Sequence, residues 1–282
     1  ADIICGSIVM TDERKETMDF VEYQPASYVL IVRAQKEEAA TDVSFLDGIK
    51  SSFEKTFIRE DRYKMFFSGI LTTILITVLS ILLGTMLGFL VYMCCKNGNR
   101  AANAISGFFV WLIQGMPVVV LLMILYYIIF AKSQISGTVV AVISFTLVFG
   151  SGVFGMLKSG VGAIDRGQTE AAFALGYGDI RAFFRIILPQ AVPHFLPAYK
   201  GEVVALIKAT AIVGYIAVQD LTKMGDIIRG RTYEAFFPLI AVAVIYFILG
   251  GLLTFLVGRI EVLINPKRRK REDILKGVRT GD

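Results

Sequence analysis

The chain has 282 residues, of which 55% are hydrophobic and only 19% charged, against about a quarter charged in a soluble domain. That composition argues against a soluble globule, and one histidine (His194) with three cysteines (Cys5, Cys94, Cys95) offers neither a disulfide framework nor a metal site. The net charge of +5 does not mark a nucleic-acid surface, because Lys and Arg flank long apolar runs instead of covering a face.

Residues 1–43 are expected to be a small, partial α/β segment outside the membrane. A strand is expected over 2–5, a capped charged helix over 11–17 and a buried strand over 28–32. So short a stretch cannot bury a sufficient core by itself. Residues 44–64, with Phe45, Ile49, Phe53 and Phe57 set among charges, read as an amphipathic connector at the outer surface.

Crossing a bilayer takes about twenty predominantly apolar residues, and lipid offers no partner to open backbone groups. Five stretches meet that demand, 65–95, 105–131, 137–157, 195–218 and 235–257. The expected fold is an all-α polytopic membrane protein of about five transmembrane helices over 65–265, followed by a basic tail over 266–282. Gly84 and Gly88, Gly152 and Gly155, and Gly250 and Gly251 supply the small residues that let membrane helices approach closely.

Lys and Arg in short loops are retained on the cytoplasmic side. Lys96 and Arg100 follow the first span, Lys158, Arg166, Arg181 and Arg185 the third, and Arg259 with the 267–271 cluster the fifth. Those three loops lie on one side, so the amino terminus is expected outside and the carboxyl terminus in the cytoplasm. The opposite side receives Lys132 and a mixed-sign loop over 220–234.

The segment 165–197 is too long and too patterned for a plain connector. Asp165 can cap a helix with Gln168 as its capping-box partner, the run 169–175 is strongly helix-forming, and Gly176 can end it in a left-handed conformation. Asp179 can cap a second helix with Ile180, Phe183, Phe184 and Ile187 on one face, ended by Pro189. The alanines at 171, 172 and 174 leave the first helix bare enough for a partner to approach its backbone. An ordinary helical loop at the lipid surface would read the same way.

Glu170, Ala171, Ala172, Gly176, Ile186, Leu188 and Pro189 together resemble the signature loop of binding-protein-dependent ABC importer permeases. Gly167 and Gln168 before it, Gln190 and Ala191 after it, and Lys208 with Thr210 further on are similar to the polar amino-acid uptake branch. The resemblance extends from about Ser68 onward. It implies that the loop is a coupling helix seated in a cleft of a separate ABC ATPase subunit, and that ATP and magnesium are handled there, with no cofactor in this chain. It further implies a second permease copy or paralogue, a solute-binding protein or fused binding domain, and residence in a bacterial plasma (inner) membrane among lipid. Gln114, Met116 and Pro117 stand where such permeases commonly have an Arg-Gly-Thr-Pro run, and Leu157 with Lys158 where they have Glu and Arg. With Lys208 and Thr210, the residues Gln114, Met116 and Pro117 are the candidates for the solute route.

The run from Thr11 to Arg14, followed by Asp19, Phe20 and Pro25, resembles the ligand cleft of periplasmic amino-acid-binding proteins, with Val9 where a serine is usual. The resemblance makes Arg14 a candidate carboxylate clamp in a remnant of a fused binding domain. Other classes are weaker. The stretch 152–159 lacks the glycine before Lys158 that a phosphate loop needs, so ATP hydrolysis is expected in a partner, and the chain is not expected to be an enzyme. An ion-coupled secondary transporter or channel is suggested by Glu202 and Lys208 in the fourth span, but their spacing puts them on different helix faces.

Overall fold

A computed structural model of the chain describes residues 3–6, 18–24, 28–33, 45–96, 98 and 100–264, with side chains for those between 48 and 263. It divides into two compact units, residues 1–52 and 53–282.

In the first unit, β1 (Ile3–Gly6), β2 (Met18–Gln24) and β3 (Tyr28–Arg33) form one antiparallel sheet in the order β1-β3-β2. Ile3 pairs with Val32 and Met18 with Arg33. The expected α/β character is not supported, because the described part of residues 1–43 holds strands alone. β2 escaped the sequence reading because adjacent Phe20 and Val21 interrupt its alternation, and its ladder is irregular between Glu22 and Gln24. The expected helix over 11–17 and the tail beyond residue 264 lie outside the described residues. Helix α1 (Phe45–Phe53) follows.

The second unit is helical among its described residues. A π-turn (Glu54–Ile58) and a 3₁₀ turn (Arg59–Asp61) lead into α2 (Arg62–Cys95), and Glu60 and Asp61 both take left-handed φ angles of 56° and 55° at the corner. Then come α3 (Arg100–Gln114), α4 (Val118–Ile124), α5 (Gly137–Gly162), α6 (Arg166–Ala174), α7 (Asp179–Ala182), α8 (Leu188–Ala209), α9 (Leu221–Thr232) and α10 (Phe236–Ile264). Among the described residues, α2, α5 and α10 carry the three helical runs long and apolar enough to cross a membrane. Two bent pairs, α3 with α4 and α7–α8 with α9, bring the total to five if each pair is counted as one broken span.

The burial pattern on α2 is inverted relative to a soluble helix. Gly69, Thr73, Thr77, Ser80, Gly84 and Gly88 are buried, whereas Leu71, Leu75, Leu79, Leu82, Met86 and Leu90 are exposed. Lipid removes the penalty for exposed leucine, so the inner face is chosen for close approach. A Cβ built on Gly88 would lie 2.5 Å from the Gly150 carbonyl oxygen and 2.7 Å from Val153 Cβ, so α2 and α5 cross in backbone contact there. Gly84 joins the same crossing, where a Cβ would lie 3.1 Å from the Gly150 backbone nitrogen. Gly152 faces the Glu202 side chain and Gly155 has open space around it. The core beside this crossing is centred on Ile76, Leu122, Phe145, Phe149 and Val213.

Three expectations about the spans are corrected. The stretch 105–131 is not one helix, because the chain turns by 105° between α3 and α4. Pro117 stands at the N-cap of α4 with ψ 136°, and a proline forces its predecessor, Met116, away from the helical region. The fourth span ends in a 3₁₀ turn (Thr210–Ile216) after α8, and the pair it forms with α9 is bent by 53°. The expected loop over 220–234 is instead α9, whose Leu221, Met224, Gly225 and Ile228 are buried. Its charges suggested solvent, but they occupy only the outer face of an amphipathic helix.

α9 is held by a buried polar cluster. Asp220 accepts from the backbone N–H groups of Thr222 (3.1 Å) and Lys223 (2.9 Å), capping the helix, and from the Tyr246 hydroxyl of α10 (3.2 Å). Thr73 of α2 accepts from Leu221 N–H at 3.2 Å. A Cβ on Gly69 would sit 2.8 Å from Leu221 Cα, so the glycine is what lets this helix start reach α2.

Candidate functional site

The segment 165–190 folds as a helix, a tight turn and a second helix. Asp165 caps α6 by accepting from Gly167 N–H at 2.6 Å. Gln168 does not complete the expected capping box, and its side-chain oxygen instead accepts from Gln190 Nε2 at 3.2 Å, joining the two arms of the loop. At the end of α6, Tyr177 N–H donates to Ala172 O (3.0 Å) and Gly176 N–H to Phe173 O (2.9 Å), the two bonds of a Schellman motif. Gly176 takes φ +78°, the left-handed conformation that glycine adopts at no steric cost.

Two expectations about the second arm are revised. Gly178, not Asp179, is the N-cap of α7. Asp179 instead forms an ion pair with Lys96 at the end of α2, at 3.0 Å. Pro189 does not end the helix. A π-turn (Phe183–Ile187) intervenes, and α8 continues with Pro189 in its first turn, where a missing N–H is tolerated. The apolar face is also split, since Phe183 and Ile187 are buried whereas Ile180 and Phe184 are exposed.

The loop is fastened to α2 through Phe183 and Asp179. Phe183 stacks with Tyr92 of α2 at 5.8 Å between ring centroids, and Lys96 Nζ lies 4.6 Å above the Phe183 ring. The Lys96 side chain is only 11% exposed, although its Asp179 partner stays half open to solvent. Neither Lys96 nor Phe183 was singled out for this role from the sequence. Lys96 reads there as an orientation charge, and no local pattern links it to a carboxylate more than eighty residues away.

Of the signature residues, Glu170, Ala171 and Pro189 are exposed, Ile186 and Leu188 are half-buried, and Ala172 is only 1% exposed. Ala172 is thus packed within the chain, and the exposed surface of α6 and its C-cap includes Glu170, Ala171, Phe173 and Leu175.

The solute-route candidates do not converge on one contact. Gln114 donates to Ser151 Oγ of α5 at 3.5 Å, Met116 packs against the Ile113, Leu121, Leu125 and Val140 cluster, and Pro117 is exposed. Lys208 is exposed near the end of α8, while Thr210 is buried and donates to Ile207 O at 2.7 Å. Arg14 lies outside the described residues.

The family described as binding-protein-dependent transport system inner membrane component matches residues 80–270. A putative glutamine transport system permease protein, GlnP of Rickettsia felis, is 35% identical over 198 residues, covering 68% of this chain and 89% of that protein. The arginine transport system permease protein ArtQ of Bacillus subtilis is 32% identical over 198 residues with the same coverage. Among solved structures, an amino acid ABC transporter crystallised with histidines superimposes with a TM-score of 0.65 at 28% identity, covering 78% of this chain and 98% of that one. The inward-facing MetNI methionine ABC transporter shares the fold, with a TM-score of 0.62 at 22% identity, covering 74% of this chain and 100% of that one.

Proposed function

We propose that this chain, which belongs to the binding-protein-dependent transport system inner membrane component family, is the membrane-spanning permease subunit of an ATP-binding-cassette importer for amino acids or similar small polar solutes. The relatives' amino-acid permease names and the fold shared with an amino acid ABC transporter support that solute class. One observation carries the mechanism: a helix–turn–helix projects an exposed face of α6 while its other arm is bonded to α2 and continues as α8.

Force applied to α6 by a partner has two routes into the spans. One runs through the Lys96 and Phe183 contacts to α2, the other along the continuous backbone through the π-turn into α8. In this reading a separate ABC ATPase receives Glu170, Ala171 and Leu175 in its cleft. It binds and hydrolyses ATP with magnesium, and this chain binds no cofactor. Nucleotide-driven closure of the ATPase pair then moves the loops together and reorients the spans. Two permease subunits, identical or paralogous, enclose the route, and a solute-binding protein delivers the solute from outside.

The chain resides in a bacterial inner membrane with its amino terminus outside and its carboxyl terminus in the cytoplasm. The positive-inside rule supports that direction, since Lys96, Lys158, Arg166 and Arg181 gather at the end of the bundle that carries α6. Lys208, with no ion-pair partner among the described residues, suits a solute carboxylate, with Thr210, Gln114, Met116 and Pro117 nearer or further along the route.

Coexpression with a cognate ATPase tests the reading. The expected result is a copurifying complex that imports amino acid into proteoliposomes only with ATP. Uptake driven by an ion gradient without the ATPase would overturn it in favour of a secondary transporter. Single cysteines at Lys132 and Arg181, in a chain with the native cysteines replaced by serine, test orientation. The first should react with an impermeant reagent in intact cells, and the second only after the membrane is opened.

A further inference from the structure

Beside the loop there is a cavity of about 610 Å³ between the end of α2, the start of α3, the end of α5 and the start of α6. Its lining is chemically divided. Lys96, Lys158 and Arg166 supply three cations, while Tyr92, Phe154 and Val161 supply an apolar wall, and no carboxylate lines it. Lys96 is neutralised by Asp179. The Asp165 carboxylate is directed to the first turn of α6, where it accepts from Gly167 N–H. Lys158 and Arg166 are exposed and have no ion-pair partner among the described residues. The cavity therefore holds two uncompensated positive charges at a span terminus, immediately beside apolar surface.

We infer that this cavity is a binding site for the phosphate headgroup of an anionic phospholipid, with Lys158 and Arg166 as its phosphate ligands and Tyr92, Phe154 and Val161 against the upper acyl chain. The chemistry required is a fixed anion attached to a hydrocarbon. Basic pockets between helix ends attract anionic lipid, and a guanidinium engages two phosphate oxygens at once. A free phosphate would use the cations alone and leave the apolar wall wet, which is why the lipid is the better occupant. Arg166 is the first residue of α6, so a lipid held here also ties the coupling loop to the ends of α2 and α5.

The test uses the intact importer complex, purified in detergent, mixed with phosphatidylglycerol or phosphatidylcholine and read by native mass spectrometry. The wild type should retain phosphatidylglycerol in preference to phosphatidylcholine. A Lys158→Gln, Arg166→Gln double variant should retain about tenfold less or lower still, since each cation near a lipid surface contributes to the attraction. The charge-conserving Lys158→Arg, Arg166→Lys variant should keep it, and Lys132→Gln at the opposite end should change nothing. Equal retention by the wild type and the double Gln variant would overturn the site. So would displacement of the lipid by an equal concentration of glycerol 3-phosphate, which would assign the cavity to a soluble phosphate. Because the readout is lipid retention and not transport, either failure leaves the permease reading intact.

Discussion

Replacing Gly176 separates the role of the turn from the role of the space around it. A Cβ built at this position meets nothing within 4 Å, so the cost of a side chain arises from φ +78° alone. That cost is about 1 kcal/mol for Ala, and roughly 2 kcal/mol for β-branched Val. Asn, which tolerates the left-handed region, should cost only a few tenths, on the order of 0.5 kcal/mol. Where the turn must be formed for docking, the cost is carried into the affinity for the ATPase, about fivefold weaker for Ala and roughly thirtyfold for Val. Binding of the purified ATPase to permease proteoliposomes, with solute-stimulated hydrolysis measured in parallel, should rank Gly, Asn, Ala and Val in that order. Permease levels in the membrane should stay near normal, since no span is touched. Val indistinguishable from Gly would refute the coupling role of the turn. Asn as damaging as Val would show that space, not backbone conformation, is what the glycine supplies.

Ala171→Arg should leave the permease folded yet abolish ATPase copurification, whereas Ala172→Arg would bury a charge inside the chain at a cost of several kcal/mol (~3 or more) and lower the yield of folded permease on size exclusion. Equal yields of the two would contradict the burial difference. Gly88→Ala forces α2 and α5 apart and should destabilise by about 1–3 kcal/mol, seen as a lower thermal midpoint in detergent, while Gly155→Ala, with open space, should match or exceed the wild type. Tyr246→Phe removes the hydroxyl that donates to buried Asp220, and should cost about 1–3 kcal/mol and raise hydrogen exchange across α9. Unchanged exchange there would mean that the backbone cap alone holds the helix start.

Apolar runs of this length satisfy their backbone in lipid as helices, so the helical membrane architecture follows from the sequence, whereas the breaks inside the second and fourth apolar stretches do not. The loop was equally legible in outline. Asp165, the alanine-rich run and Gly176 are local signals, and their cap and turn require no knowledge of what lies beside them. Three features rest on distant partners and were settled only by the tertiary structure. The pairing of Gly88 with Gly150 depends on the rotation of two helices about their axes, which composition leaves open. The fold of 220–234 back onto the bundle as α9 depends on Thr73 and Tyr246, far away in sequence, receiving Leu221 and Asp220. Lys96 could be read as an orientation charge, but packing Phe183 against α2 brings Asp179 within reach and makes that lysine the joint between loop and spans. Short-range propensity is written residue by residue, whereas a contact across the bundle exists only once the helices that carry its two sides have packed.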